Sequence, residues 1–390
     1  PFTKQVWGNS LGMNRSDAAR HRLESGDKVR LVREGRSLEV PVMVREGHAP
    51  GVFSLALGHG RREAGIIGSF VGVDAYPLRT SKSRWTLDGI EIERVPGFEE
   101  AAIATAATTL EGAREELFPI LTVAELGSLG PARVAPRLAR NQERQTSFLA
   151  ETPRSEPAWA MAIDNTSCIG CNACVVACQS ENGVPVVGPE EIKEGRIMHW
   201  LRIDAYDTRD GAAAGFQPVP CMHCEEAPCE PVCPVAASVH DREGLNVQVY
   251  NRCIGTRFCQ ANCPYKVRRF NFFGYATGQE YKNLGEPVLH AQKNPDVTVR
   301  ARGVMEKCTY CVQRISRARR AAEKAGTEIP EGDVIPACAA ACPTRAISFG
   351  DLERPASEVL KLRAEPQHYA LLGHLGTRPR TTYLARVRNP

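Results

Sequence analysis

Residues 168–178 read Cys-Ile-Gly-Cys-Asn-Ala-Cys-Val-Val-Ala-Cys, which sets Cys168, Cys171, Cys174 and Cys178 at the spacing C-x2-C-x2-C-x3-C. All fifteen cysteines of the 390-residue chain lie between Cys168 and Cys342, in four short groups of which this is the first. The second is Cys221, Cys224, Cys229 and Cys233; the third is Cys253, Cys259 and Cys263. The fourth is the pair Cys308 and Cys311, closed by Cys338 and Cys342. Three groups end in Cys-Pro, at Cys233-Pro234, Cys263-Pro264 and Cys342-Pro343.

The first spacing is that of bacterial ferredoxins: three thiolates on one tight turn hold irons of a cubane, and the fourth reaches a neighbouring cluster. The cysteines therefore predict iron–sulfur electron transfer. Zinc uses C-x2-C pairs in fours, but not this eleven-residue run. Disulfides suit an exported chain, yet repeated C-x2-C pairs at this density suit metal far better. The residues after Cys171, Cys174, Cys224 and Cys311 are Asn172, Val175, Glu225 and Val312. No C-x-x-C-His is present, which excludes a covalent c-type haem on this chain.

Overlaid on the first group, the third should carry cysteines at 253, 256, 259 and 263, but position 256 is Thr256. Four cubanes with four cysteines each leave one iron without a sulfur ligand when the chain has fifteen. The simplest consequence is a [3Fe-4S] cluster beside three [4Fe-4S] clusters. The rival is a cubane whose fourth iron is held by Thr256 or by water.

The rest of the chain bounds the setting. Its formal net charge is +4, with acids and bases interspersed, so nucleic acid is not indicated as a partner. Lys266, Arg268 and Arg269 follow a cysteine turn and read as a solvated or docking face. No apolar run approaches the roughly 20 residues needed to span a bilayer, so contact with membrane quinone must come through another subunit. The sequence opens at Pro1, without an initiator methionine or signal peptide, which reads as a processed or partial chain whose targeting information is lost.

The cysteine-free residues 1–100 read as a small β-barrel. Lys28–Val32 and Ser37–Val44 are strands joined by Glu34-Gly35, a hairpin signal. Further strands are expected at Gly51–Leu57 and Ile90–Arg94, and a short helix at Asp17–Leu23. Residues 101–158 are a connector, helical over Glu99–Leu117 and open at Thr152–Pro157. Residues 159–350 form the cysteine domain, with a short strand at Val247–Tyr250 and a basic helix at Val312–Lys324. Residues 351–390 are a tail ending in a strand at Thr381–Val387. The fold class is α+β.

The cysteine region resembles the four-cluster electron-transfer subunits of membrane-bound molybdopterin oxidoreductases, through CIGCNACVVAC, CMHCEEAPCEPVCP, RCIGTRFCQANCPYKVRRFNF, EKCTYC and CAAACPTRAISFGD. Residues 1–100 resemble the C-terminal, dinucleotide-binding barrel of molybdopterin-enzyme catalytic subunits, through WGNSLGMNRSDAARHRLESGDKVRL and VPVMVREGHAPGVFSLALGHGR. The two parts are fused here, catalytic end first. That fusion, with threonine at the missing cysteine, is similar to the large iron–sulfur subunit of alternative complex III, a quinol:cytochrome c oxidoreductase.

The resemblance implies a double ferredoxin-like domain with a nested ligand plan. One [4Fe-4S] cluster takes Cys168, Cys171, Cys174 and Cys342; a second takes Cys178, Cys308, Cys311 and Cys338. A third takes Cys221, Cys224, Cys229 and Cys263, and the [3Fe-4S] cluster takes Cys233, Cys253 and Cys259 beside Thr256. Spacing supports nesting, because groups two and three span the compact length of a two-cluster ferredoxin; pairing groups one with two and three with four stays open. The barrel is expected to hold no molybdopterin. Arg61, His59 and His48 are remnants of a pterin pocket or, more simply, packing residues of a glycine-rich turn, and His223 is a packing residue beside a cluster. The resemblance implies no catalytic residue on this chain. It implies an integral-membrane quinol-binding subunit of the polysulfide-reductase membrane type, c-type cytochrome subunits and a terminal oxidase as partners, on the periplasmic face of the bacterial inner membrane. The alternatives are the electron-transfer subunit of an active molybdenum reductase (polysulfide, tetrathionate or sulfite type) and a non-redox metal-binding scaffold.

Overall fold

The computed structural model describes residues 3–104, 117–129, 157–206, 215–275, 291 and 293–389. The chain divides into two compact units. The first comprises Pro1–Thr109, Val187–Gly195 and Ala205–Gly215; the second comprises Leu110–Val186, Arg196–Asp204 and Phe216–Pro390.

The first unit is built on strands β1 (Leu11–Met13), β2 (Asp27–Arg33), β3 (Arg36–Val44) and β4 (Glu91–Phe98), with helix α1 (Arg15–His21) after β1. The sheet order is β1-β3-β2-β4. β2 and β3 pair antiparallel out to Arg33 opposite Arg36. Between them Glu34 and Gly35 have φ of 50° and 74°, the left-handed pair of a type I′ hairpin turn. Alternation then buries one face, with Val29 opposite Val40 and Leu31 opposite Leu38. Leu11, Met13, Ala18 and Leu78 complete that core. α1 starts at Asn14, whose side chain accepts from the Ser16 amide.

Gly51–Leu57 is not a strand: Gly51 turns at φ 75°, and only Ser54 bridges, to Gly12. Among the described residues no ladder joins β1 to β4, so this region is a sheet with one apolar face and barrel closure is not shown. Of the expected helix over Glu99–Leu117, residues 105–116 lie outside the described residues, as does the linker at 152–156, and Ala102–Ile103 is instead a short strand paired with Gln5–Val6.

The second unit holds every cysteine. Its sheet contains β5 (Trp159–Asp164), β8 (Ile347–Asp351), β9 (His368–Tyr369) and β10 (Thr381–Leu384), in the order β8-β5-β10-β9. A hairpin of β6 (Ser238–His240) and β7 (Asn246–Gln248) lies between the second and third cysteine groups. The helices used below are α2 (Ala173–Glu181), α3 (Phe258–Ala261), α4 (Val312–Ala325), α5 (Ala337–Ala340) and α6 (Glu358–Ala364). Ala160 and Ala162 of β5 pack on Val359 and Leu362 of α6.

Three expectations shift slightly. The strand expected at Val247–Tyr250 is β7, which ends at Gln248 before a 3-10 turn at Tyr250–Arg252 leads into Cys253. α4 runs one residue past Lys324 and stops at Gly326, φ 65°. The tail strand is split at Ala385: β10 runs beside β5, whereas Arg386–Arg388 pairs with Ile120–Thr122. Among the described residues no helix is long and apolar enough to cross a membrane.

Candidate iron–sulfur centres

The four cysteine groups open on the same backbone device. Two residues after the first cysteine of each comes a left-handed residue: Gly170 (φ 67°), His223 (45°), Gly255 (76°) and Tyr310 (56°). Such a turn aims amides inward, as where the Tyr310 amide donates to Cys308 Sγ at 3.4 Å. Glycine is required in two of them. A Cβ on Gly170 would lie 2.5 Å from the Phe216 ring, and one on Gly255 would lie 2.6 Å from the Gly303 carbonyl oxygen. His223 and Tyr310 adopt the strained conformation without glycine, at a cost of about 1–3 kcal/mol each. They are fully buried and stack on each other, with ring centroids 3.9 Å apart. Burial, then the nearby Lys307 and Arg380 charges, pushes the His223 pKa well down. The ring is therefore neutral, and Nε2 donates to the Cys308 carbonyl oxygen at 3.1 Å.

The Cys-Pro turns form a second repeat, which spacing alone did not reveal. Three residues after each of these cysteines the backbone is again left-handed, at Ala236 (47°), Lys266 (52°) and Arg345 (53°). The amides of these residues donate to the carbonyls of Cys233, Cys263 and Cys342 at 3.2 Å in each turn. The next amide donates to sulfur: Ala237 to Cys233 and Ala346 to Cys342, both at 3.2 Å, and Val267 to Cys263. Proline suits the position because its φ is set and it brings no competing donor. At Cys233 burial disfavours the thiolate, but the Val235, Ser238 and Ala237 amides and the Arg268 charge outweigh it and lower the pKa.

The fold brings distant cysteines together. β5 and β8 pair antiparallel with Ile163 opposite Ile347. Cys168 lies five residues after Ile163 and Cys342 five before Ile347, so the ladder's register carries both to one end of the sheet. Cys168, Cys171, Cys174 and Cys342 line one small cavity there. Burial, then the crowding of Cys168, Cys342 and Cys171, pushes the Cys174 thiol up to about 12. α2 packs on α5, and Cys178 meets Cys308, Cys338 and Cys311. Cys224 meets Cys221, Cys229 and Cys263. Cys259 meets Cys229 and Cys253.

These sets are contiguous. Cys338 lies near Cys174, Cys308 near Cys221, and Cys259 near Cys229. Each set thus adjoins the next in one line, from the Cys168 end to the Cys253 end. Among the described residues no three His, Cys, Asp or Glu side chains converge on a single ion. Zinc would need donors about 2.0–2.3 Å from one centre. Buried thiols with raised pKa values, crowded in sets and served by amide donors, fit a group that binds them as thiolates. The donor chemistry fits iron–sulfur clusters.

The remaining candidates fall as follows. Thr256 is exposed, between half-buried Cys253 and buried Cys259. The basic cluster is not a solvated face. Lys266 is exposed, but Arg269 donates to the His199 carbonyl at 2.9 Å, and Arg268 is 1% exposed with Nη2 3.0 Å from Cys229 Sγ. Sulfur ligands upstream, invisible as neighbours in the sequence, draw Arg268 inward. In the first unit, His48 hydrogen-bonds Ser54 Oγ at 2.9 Å and Arg61 donates to the Gly58 carbonyl at 3.0 Å. His59 has its pKa lowered by burial and then by Arg61. His48 and Arg61 thus serve local loop contacts.

Two family models described as 4Fe-4S dicluster domains match, over residues 167–237 and 212–277. Among curated proteins the chain is 39% identical over 239 residues to the iron–sulfur cluster-binding subunit of menaquinone reductase from Nitratidesulfovibrio vulgaris, covering 58% of this chain and 89% of that protein. It is 33% identical over 277 residues to iron–sulfur subunit 1 of the Hdr-like menaquinol oxidoreductase of Archaeoglobus fulgidus, covering 65% and 94%. It is 32% identical over 213 residues to the thiosulfate reductase electron transfer subunit PhsB of Salmonella typhi, covering 54% and 84%. The chain belongs to the family of 4Fe-4S dicluster, ferredoxin-type electron-transfer subunits of the dimethyl sulfoxide reductase and menaquinone reductase type. It is a subunit of an oxidoreductase complex.

Proposed function

We propose that this chain is the large iron–sulfur subunit of an alternative complex III, and carries electrons from a quinol-oxidising membrane partner towards a c-type cytochrome. The observation that carries the reading is the line of four adjoining thiol sets, one of them with Thr256 where its sequence counterpart has cysteine.

Three of the ligand sets, and the meeting of Cys253 with Cys259, follow the thiol neighbours; Cys233 joins the fourth set through the resemblance. Cys168, Cys171, Cys174 and Cys342 hold one [4Fe-4S] cluster; Cys178, Cys308, Cys311 and Cys338 a second; Cys221, Cys224, Cys229 and Cys263 a third. Cys233, Cys253 and Cys259 hold a [3Fe-4S] cluster beside Thr256. The family match over 167–237 runs across groups one and two, and the match over 212–277 runs across groups two and three, so chain order alone does not choose between the pairings. We follow the thiol neighbours, because a sequence model tracks chain order whereas the β5–β8 register sets which cysteines meet. Clusters bound there supply one-electron chemistry, with potentials tuned by charge, hydrogen bonds to sulfur and exposure. The chain's own groups hold the thiolates, direct amides at sulfur and exclude water.

The partners in this reading are an integral-membrane quinol-binding subunit of the polysulfide-reductase type and c-type cytochrome subunits, on the periplasmic face. The first unit, fused ahead of the cysteine domain, is the structural remnant of a catalytic barrel. A precursor with a twin-arginine signal fits export after cluster insertion. The test is purification from detergent-solubilised membranes. Recovery with a membrane subunit and a c-type cytochrome, with clusters reduced by quinol, is the expected result; recovery alone, without quinol-linked reduction, contradicts it. The similarity to a thiosulfate reductase electron transfer subunit favours a second reading, service to an active molybdenum enzyme. Molybdenum or tungsten in the purified complex selects it.

A further inference from the structure

Arg268 is the one basic residue of its cluster that the fold takes fully inside. Its guanidinium has four acceptors within hydrogen-bond distance on the hairpin and Cys229. Nη1 donates to Gln248 Oε1 at 2.7 Å, and the two Nη2 hydrogens are shared among Ser238 Oγ at 2.6 Å, Asn246 Oδ1 at 2.8 Å and Cys229 Sγ at 3.0 Å. Ser238, Asn246 and Gln248 all belong to the β6–β7 hairpin. The hairpin therefore fixes the fork in orientation, and its three contacts are neutral. The same guanidinium also reaches Cys259, by charge and by hydrogen bond, and its charge acts on Cys233. A buried cation is costly unless a counter-charge compensates it. The compensating groups within reach are the Cys229 and Cys259 sulfurs.

We infer that Arg268 is a positioning residue shared by the two inner clusters, a fixed positive charge bridging a sulfur of each that holds both reduction potentials up together. The inference rests on the ligand sets proposed above. Cys229 belongs to the third set and Cys259 to the three-thiol set, so one planar fork serves two centres. Each added electron makes a cluster one charge more negative. A cation that stays charged stabilises the reduced form more than the oxidised form, and so raises the potential. Arginine suits the role because it keeps its charge when buried and its donors diverge in a rigid fork; lysine has a single ammonium centre. The second set has a neutral counterpart, Asn182, whose amide lies 3.6 Å from Cys178 Sγ and 3.7 Å from Cys311 Sγ.

The test is an EPR-monitored redox titration of the purified complex carrying Arg268→Met or Arg268→Lys, with iron and sulfide measured in each. In Arg268→Met both inner centres should shift to lower potential while the two outer centres stay at their wild-type values. Arg268→Lys should keep the charge but serve one sulfur better than the other, giving smaller and unequal shifts. Arg268→Met with full iron and unchanged inner potentials overturns the inference. So does a shift confined to one centre in Arg268→Met, or loss of iron from both variants, which would make Arg268 an assembly residue. Failure of the underlying ligand plan is read separately, as a wild-type iron content or centre count that departs from four clusters.

Discussion

Residues 168–172 and 253–257 are the same turn with one decisive exchange. Both begin Cys-Ile-Gly, and both then take left-handed backbone at the glycine and again two residues on, at Asn172 (φ 67°) and Arg257 (φ 63°). Both run into a helix at that second residue, α2 in one case and α3 in the other. Between the two left-handed residues stands Cys171 in the first turn and Thr256 in the second. A backbone built to present a thiolate thus persists where no thiolate is present, so the corner residue is chosen separately from the turn that carries it. The surroundings differ as well. α2 spans nine residues and delivers Cys174 and Cys178 to two different sets, whereas α3 spans four. Ile254, Thr256 and Phe258 are exposed, which puts the second turn at the wetter end of the line.

If the shared turn is what holds both groups, breaking it should have the largest effect. Gly170→Ala and Gly255→Ala each add a left-handed side chain, about 1–2 kcal/mol, to a clash of about 1–3 kcal/mol. Each should lower the unfolding temperature and release iron from its own set. Gly326→Ala, at φ 65° with nothing within 4 Å, is the control and should lose only about 1 kcal/mol. Equal losses in all three variants would mean that the turn is not special.

The next effect exchanges the corners. Thr256→Cys should add about one iron per chain and remove the three-iron signal, and Cys171→Thr should do the reverse in the first set. A Thr256→Cys spectrum identical to wild type would show that residue 256 does not face the vacant corner.

The sequence made the cysteine groups, the hairpin at Glu34-Gly35 and helix α4 legible, because each rests on local chemistry: thiol spacing, turn residues, a run of helix formers. Other features were hidden for physical reasons. The meeting of Cys168 with Cys342 comes from the family resemblance and not from any local pattern, because it depends on the β5–β8 register, a pairing across more than 170 residues. Arg268 reads as surface charge beside Lys266 and Arg269, and its burial is explained by the upstream hairpin acceptors and thiols that meet it in the fold. Gly51–Leu57 looks apolar enough for a strand, yet Ser54 alone finds a partner. His223 and Tyr310 carry no glycine signal at their left-handed positions, because their stacking depends on the two groups meeting.

The smallest effect concerns how α2, and with it the first group, is tied to α4. Arg314 holds Glu181 through Nε to Oε1 at 3.0 Å and Nη2 to Oε2 at 2.7 Å. The Arg314 hydrogen bond lowers the Glu181 pKa below its ordinary 4.5. A carboxyl with a depressed folded-state pKa contributes stability above the ordinary value and loses it as pH falls through the folded one. Glu181→Gln should therefore cost about 0.5–1 kcal/mol at neutral pH, a half-exposed pair being partly screened by solvent. The gap in unfolding free energy between variant and wild type should close as pH drops below the ordinary carboxylate range. A gap independent of pH would point to packing as its cause.

The most direct measurement is quantitative EPR of the complex as isolated and oxidised, with iron and acid-labile sulfide determined on the same sample. Three four-iron cubanes and one three-iron cluster predict about fifteen iron and about sixteen sulfide per chain, with one [3Fe-4S] signal integrating to about one spin. Four EPR-silent oxidised cubanes, with about sixteen iron, would contradict the reading of Thr256 and of the line of centres that ends at it.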